Sequence, residues 1–443
     1  MPTMHHMMIS ILAACFVCRR AANRADTARP PAGICRQTVV VLSVAASVLL
    51  PGCAPQREAD ALKSELNDMA DEIRRRYAPD ARDEVFDIRI TDRGDRMAVT
   101  GATTVAEART ELRRRIRDAY GDAVADSITL LPAEATTAEA RYGVVNVSVA
   151  DARTGADYAG EMATQLLLGA PVQVLQHDGW WRIRSAEGYV AWMEGGSFVR
   201  MSEAAFDRWT AAAKVIFTDM YGFAREEADE RSAPVSDLVF GNLLKYEGET
   251  GAYYRVSYPD GRTACVAKSR SSLFDEWLSA VRPTEEGVVA KARTLRGIPY
   301  SWGGASTKAV DCSGFTKTVY LMHGVVLRRD ASQQAETGIP VDISGGYDPL
   351  RPGDLMFFGR KAHDGKRDRI RHTAIYAGDG EFIHAGSGYV RSSSLRPSSS
   401  NYDSLNTREF IRAVRIIGAG EDDGIIRLDR HPMYRIPDSA VSQ

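Results

Sequence analysis

The sequence predicts an α+β protein assembled from several small units. Three observations lead there. Near Tyr142 the texture changes from helix-and-strand to short alternating β runs. The stretch W-W-R-I-R-S-A-E-G-Y-V-A from Trp180 recurs 73 residues later as Y-Y-R-V-S-Y-P-D-G-R-T-A from Tyr253. Beyond Arg282, a helix with Cys312 in its first turn precedes strand-like segments carrying His372 and His384. A chain of 443 residues has room for several domains, each with its own core. The 56 Lys+Arg balance 58 Asp+Glu with no basic stripe, which argues against a nucleic-acid partner. No stretch is apolar enough to predict a bundle of membrane spans.

In chain order, residues 1–53 read as a leader and lipoprotein signal. Residues 38–52 form one apolar run, preceded by Arg36 and ended by Cys53. The run suits a signal h-region, being short for a transmembrane helix. Its ending L-L-P-G-C resembles a lipobox, in which Cys53 becomes the lipidated first residue of the mature protein. Pro51 is unusual in such a box. An earlier L-A-A-C at Cys15 fits the pattern but lacks a preceding Lys or Arg. The expectation is a membrane-anchored lipoprotein of the cell envelope, facing the periplasm or outer surface. A simple membrane anchor or a cleaved secretory signal is the plainer alternative. Past Cys53 only Cys265 and Cys312 remain, too few for a disulfide framework.

Residues 54–80 read as a helical stalk or docking helix, with Leu62, Leu66, Met69 and Ile73 spaced for one face. Residues 81–132, strand–strand–helix–strand, predict a small α+β module acting as a spacer or docking unit. Residues 140–202 and 203–282 hold the two copies of the repeat, each preceded by an apolar run with a glycine, Gly169 or Gly241. Two small β-barrels in tandem produce this pattern. They resemble the bacterial Src-homology-3-like barrels that accompany cell-wall enzymes. Cys265 falls in a strand of the second, as a buried structural thiol. Residues 282–284 read as a linker, residues 285–418 as the unit carrying Cys312, and residues 419–443 as a polar tail. His323 is expected to cap its helix, His177 to flank a turn, and His363 and His431 to lie in exposed segments.

Cys312, His372 and His384 suit nucleophilic catalysis. A thiol at a helix N-terminus meets unpaired N–H groups and a dipole that favour negative charge. A two-residue hairpin at Asp379-Gly380 would face Ile375 to His384 and turn the histidines to opposite sides. A three-residue loop, Gly378-Asp379-Gly380, pairs Ala377 with Glu381 and Ala374 with His384. His372 then lies diagonal to His384 on the same face. The longer loop is the prediction. His372 acts as base and acid, His384 orients it, and N–H groups of the Cys312 helix stabilise the oxyanion.

Residues 285–417 resemble the NlpC-type family of peptidoglycan cysteine peptidases. P-Y-S-W-G-G, D-C-S-G-F, R-D-A-S-Q-Q, R-P-G-D-L-M-F-F, R-H-T-A-I-Y and F-I-H-A carry the match. The resemblance implies a papain-like catalytic domain, no cofactor, and Tyr300 beside the oxyanion site. With the barrels, residues 140–417 are similar more narrowly to the dipeptidyl-peptidase VI group. Those enzymes cut the γ-D-glutamyl–diamino acid bond of stem peptides with a free N-terminal L-Ala. The first barrel of those enzymes closes one end of the cleft. The match puts Asp311, Ser313 and Arg329 at the L-Ala–D-Glu end of the substrate, and Glu161 at its free amine. Here Tyr158-Ala159-Gly160 departs from the usual polar run before that glutamate. The resemblance implies peptidoglycan stem peptides as partners, the lipobox at Cys53 adds a membrane through a lipid anchor, and the oligomeric state stays open.

Three other readings compete. The Cys and two His could ligate zinc, although no fourth Cys or His lies nearby. The chain could be an inactive wall-binding lipoprotein. It could also be an endopeptidase acting on intact crosslinked wall.

Overall fold

The computed structural model describes residues 54–362, 367–421 and 424–434. Cys15, Cys53, the leader and His363 lie outside these residues. Among the described residues, no helix is long and apolar enough to cross a membrane.

The first helix, Ala54–Tyr77, is no free stalk. Its Leu66 and Ile73 are buried against Leu112 and Ile116 of a second helix and against Ile90, Val99 and Ile128 of the sheet. An apolar residue every three or four positions makes a stripe that needs covering, and this module covers it. Strands Phe86–Asp92 and Met97–Thr103 pair antiparallel, and Val124–Leu130 joins the second in parallel across helix Ala106–Tyr120.

Two seven-stranded sheets follow with one topology. Written strand by strand, the order 198–201, 142–145, 171–178, 180–185, 190–193, 149–153, 162–167 maps onto 271–273, 214–217, 243–250, 253–257, 263–267, 221–225, 234–239. The repeated Trp180 and Tyr253 segments are equivalent strands. One boundary moves: helix Glu203–Ala211 belongs with the first barrel, because Phe206 stacks on Tyr142 at 4.4 Å and Trp209 packs beside Val144 and Met201. Cys265 is buried in its strand, and burial pushes its thiol up.

The third unit is a six-stranded antiparallel sheet ordered 339–341, 410–415, 355–360, 369–378, 381–386, 389–394. Helix Cys312–Leu321 lies on strands 369–378 and 381–386, with Phe315 and Val319 packed among Leu355, Phe357, Ile375 and Ile383. The predicted three-residue loop is wrong in form. Asp379 and Gly380 make a two-residue turn with φ of +53° and +77°, and Gly378 pairs with Glu381. Ala377 is a bulge; beyond it Tyr376 faces Phe382 and Ile375 faces Ile383. One extra residue in the strand shifts the register as one extra loop residue would. Both histidines therefore still share a face.

The tail also differs from expectation. Ile425–Arg427 pairs antiparallel with Val325–Leu327, and Leu428 is buried among Ile216, Phe274 and Val326. His431 is buried, its Nε2 2.8 Å from the Ala186 carbonyl, because the tail folds back across the barrel. His323 does not cap its own helix; its Nδ1 lies 3.0 Å from the Arg282 carbonyl in the linker.

Candidate active site

Cys312 is the first residue of its helix, with Asp311 as N-cap accepting from the Gly314 N–H at 2.7 Å. Gly314 lets the helix start touch the preceding loop: a Cβ there would sit 1.9 Å from the Gly304 carbonyl oxygen. The sulfur accepts from the backbone N–H of Thr373, the neighbour of His372. His372 Nε2 stands 2.7 Å from His384 Nδ1, and His384 Nε2 stands 3.0 Å from Ser393 Oγ. Those ring nitrogens are thus bonded to each other and to a hydroxyl, which disfavours the zinc reading. The Asp403 carboxylate approaches His384 Nε2 at 4.0 Å. Tyr300, His372, His384 and Ser393 line an open groove of about 690 Å³.

Electrostatics at the site oppose ionisation of the Cys312 thiol. Burial, then the Asp311 carboxylate, push its thiol up to about 12, against the lowering effect of the Thr373 and Ser313 N–H groups and Arg329. Burial, then His384, Arg371 and Arg391, hold His372 well below its ordinary value. Burial and Arg391 bring His384 down to about 4. Burial thus favours the neutral forms of the thiol and of both imidazoles. Burial, Cys312 and Asp311 raise the Tyr300 hydroxyl, which stays protonated and able to donate.

Asp311, Ser313 and Arg329 come together in a buried cluster. Arg329 is 1% exposed and donates to Asp311 at 3.2 and 2.6 Å, to Ser313 Oγ at 3.0 Å and to Thr164 Oγ1 at 2.8 Å. Thr164 belongs to the first barrel, so this arginine joins barrel to helix. The neighbouring Gln165 accepts from Ala305 N at 3.2 Å and Ser306 Oγ at 2.9 Å. Gly303, at φ +77°, lies against the Met162 carbonyl, where a Cβ would come within 2.3 Å. The barrel strand Met162–Leu167 thus walls the loop leading to Cys312. Glu161, just before that strand, is exposed, and its carbonyl accepts from Thr154 N at 2.9 Å.

Sequence reasoning missed Ser393 and Asp403. Ser393 was readable: Ser387-Gly388 forms a two-residue turn, and Ser393 falls on the His384 face two positions along. Asp403 caps a short helix after an irregular loop, and no periodic signal marks it.

Comparison with known proteins gives the chain its relatives. The NlpC/P60 family profile matches residues 297–409, and that of the bacterial dipeptidyl-peptidase Sh3 domain matches residues 152–197. A gamma-D-glutamyl-L-lysine dipeptidyl-peptidase of Bacillus cereus is 30% identical over 236 residues, 51% of this chain and 68% of that protein. The chain belongs to the NlpC/P60 family. It is a cysteine peptidase. Dipeptidyl-peptidase 6 of Lysinibacillus sphaericus is 26% identical over 240 residues, 52% of this chain and 83% of the relative. The crystal structure of an NlpC/P60 family protein from Bacillus cereus superposes with a TM-score of 0.52 at 25% identity, covering 62% of this chain and 99% of that one. The NlpC/P60 fold is thus preceded here by the paired barrels and the N-terminal module.

Proposed function

We propose that this peptidase hydrolyses the γ-D-glutamyl–diamino acid bond of peptidoglycan stem peptides whose N-terminal L-Ala carries a free amine. The wall formed by strand Met162–Leu167 against residues 303–306 is the observation that supports the reading most. A cleft closed at one end accepts a short peptide end and excludes an uncut strand. Exposed Glu161, at the start of that wall, would meet the ammonium group.

His372 Nε2 is engaged by His384, which leaves Nδ1 to take the Cys312 proton as sulfur attacks the scissile carbonyl. The oxyanion meets the first N–H groups of the Cys312 helix and the Tyr300 hydroxyl. Collapse expels the diamino acid amine, protonated from His372, and leaves an L-Ala-γ-D-Glu thioester. Water activated by the same imidazole releases the dipeptide. Asp311, Ser313 and Arg329 shape the end of the cleft that holds it. Membrane anchoring through Cys53 and a role in turnover of released wall peptides complete the proposal.

The full chain in detergent, given L-Ala-γ-D-Glu-diaminopimelate and its N-acetylated form, tests this by mass spectrometry of the products. Cleavage of the free-amine peptide alone, abolished by Cys312→Ala, is expected. Equal cleavage of both removes Glu161 and favours action on intact wall. Cleavage of neither favours a binding lipoprotein.

A further inference from the structure

The segment between helix Ala54–Tyr77 and strand Phe86–Asp92 of the N-terminal module is fastened to the stretch around Arg329 in the catalytic unit. The Arg82 carbonyl accepts from Val190 N at 2.7 Å, laying the segment along a barrel strand. The Arg82 side chain donates from Nε and Nη2 to the two oxygens of Asp80 at 2.8 and 2.6 Å. Its Nη1 donates to Asp330 Oδ2 and to Ser332 Oγ, both at 2.8 Å. Asp83 pairs with Arg328 and accepts from Gln333 Nε2 at 2.9 Å. Gln333 Oε1 in turn accepts from Asp330 N at 3.2 Å, which closes the cap of helix Ala331–Gln334. From the barrel, the Tyr189 hydroxyl donates to Asp330 Oδ2 at 3.3 Å.

These partners are the two chain neighbours of Arg329. Past the strand end at Leu327, Arg328 and Asp330 are held by Asp83 and Arg82, and Arg329 between them reaches Asp311, Ser313 and Thr164. Gln334, on the same short helix, reaches the Ser313 carbonyl at 3.2 Å and accepts from Thr316 at 2.7 Å. A continuous set of hydrogen bonds therefore runs from Arg82 and Asp83 to the first turn of the Cys312 helix. The segment lies before both stretches that match known families, 152–197 and 297–409.

We propose that Arg82 and Asp83 are positioning residues of the substrate cleft: by fixing Asp330 and Arg328 they aim Arg329, and so set how well the end of the stem peptide is held. This rests on the assignment of Asp311, Ser313 and Arg329 to that end of the substrate. Bond breaking, which depends on Cys312 and the histidines, is not their task. The N-terminal module thus contributes to substrate affinity while remaining outside the cleft.

The test uses the full chain, measuring KM, kcat and thermal unfolding with L-Ala-γ-D-Glu-diaminopimelate. Arg82→Met removes one charge-assisted bond to a partly exposed Asp330, so KM is expected to rise roughly fivefold with kcat within about twofold of wild type. Arg82→Lys keeps the charge and restores part of the affinity. It also carries the test should the methionine variant fail to fold. Asp83→Arg raises KM similarly, and combining it with Arg328→Asp recovers it. Unchanged KM in an active background overturns the proposal, as does a fall in kcat that merely tracks lost stability. A wild-type chain that cleaves nothing overturns the functional reading, and this inference with it.

Discussion

Ser393→Ala tests how the imidazole pair is wired. For His372 to accept a proton on Nδ1, its own proton must sit on Nε2 and point at His384 Nδ1. His384 then carries its proton on Nε2, donating to Ser393 Oγ at 3.0 Å. His384 is 1% exposed, so its Nε2–H is poorly solvated once the acceptor is lost. The Asp403 carboxylate, at 4.0 Å, is beyond hydrogen-bond range. An unpaired buried N–H costs about 1–3 kcal/mol, and the cost falls only on the productive tautomer. The competing tautomer donates from His384 Nδ1 to His372 Nε2 and puts the His372 proton on Nδ1, facing the thiol. At about 1.4 kcal/mol per factor of ten, kcat/KM drops about fivefold to a hundredfold. The loss is expected in kcat, because the tautomer governs proton transfer from Cys312 to His372 Nδ1. Steady-state kinetics on the free-amine stem peptide, with thermal unfolding as control, measure this. Asp403→Asn serves as comparison and is expected to cost less than about twofold. A folded Ser393→Ala enzyme with wild-type kcat/KM would refute the tautomer argument.

Other consequences follow from the same contacts. His384 titrates near 6.5 unfolded but only at about 4 folded, so falling pH between these values favours the unfolded chain. That gap, at ~1.36 kcal/mol per pH unit, amounts to about 3 kcal/mol. Urea midpoints at neutral and acid pH should show this loss shrinking in His384→Asn, and an equal loss in both proteins counts against it. The Cys312 thiol, pushed up to about 12, predicts slow alkylation by iodoacetamide at neutral pH that keeps climbing into alkali; a plateau near neutrality would signal a standing ion pair. Gly314→Ala would place a methyl 1.9 Å from the Gly304 carbonyl oxygen and should lower stability by about 3 kcal/mol in denaturant titration. Leu428→Ala should cost about 2–4 kcal/mol, because the tail packs in the core between barrel and catalytic unit; a neutral result would return the tail to solvent.

Much of this fold was readable because its signals are local. The equivalence of the strands at Trp180 and Tyr253 shows as repeated residues, and the Cys312 helix declares itself through Asp311, Cys312 and the glycine behind them. The partnership of His372 and His384 followed from strand alternation, although a bulge at Ala377 supplied the shift assigned to the turn. A bulge and a longer loop give the same downstream register, and alternation cannot tell them apart. Long-range packing was the blind spot. Leu66 and Ile73 looked like a stalk stripe, and the tail around Leu428 looked polar, because their partners lie far away in sequence. The forces on the thiol are split in the same way. A helix N-terminus is visible in sequence, but the burial and the Asp311 carboxylate that oppose it depend on the folded site.

The most direct test of the central claim is the intact mass of the full chain, acid-quenched during turnover of L-Ala-γ-D-Glu-diaminopimelate. The account predicts an L-Ala-γ-D-Glu adduct that maps to Cys312, is absent in Cys312→Ala and does not form from the N-acetylated peptide. Peptide cleavage with no adduct at Cys312, or an adduct forming equally from the acetylated peptide, would contradict it.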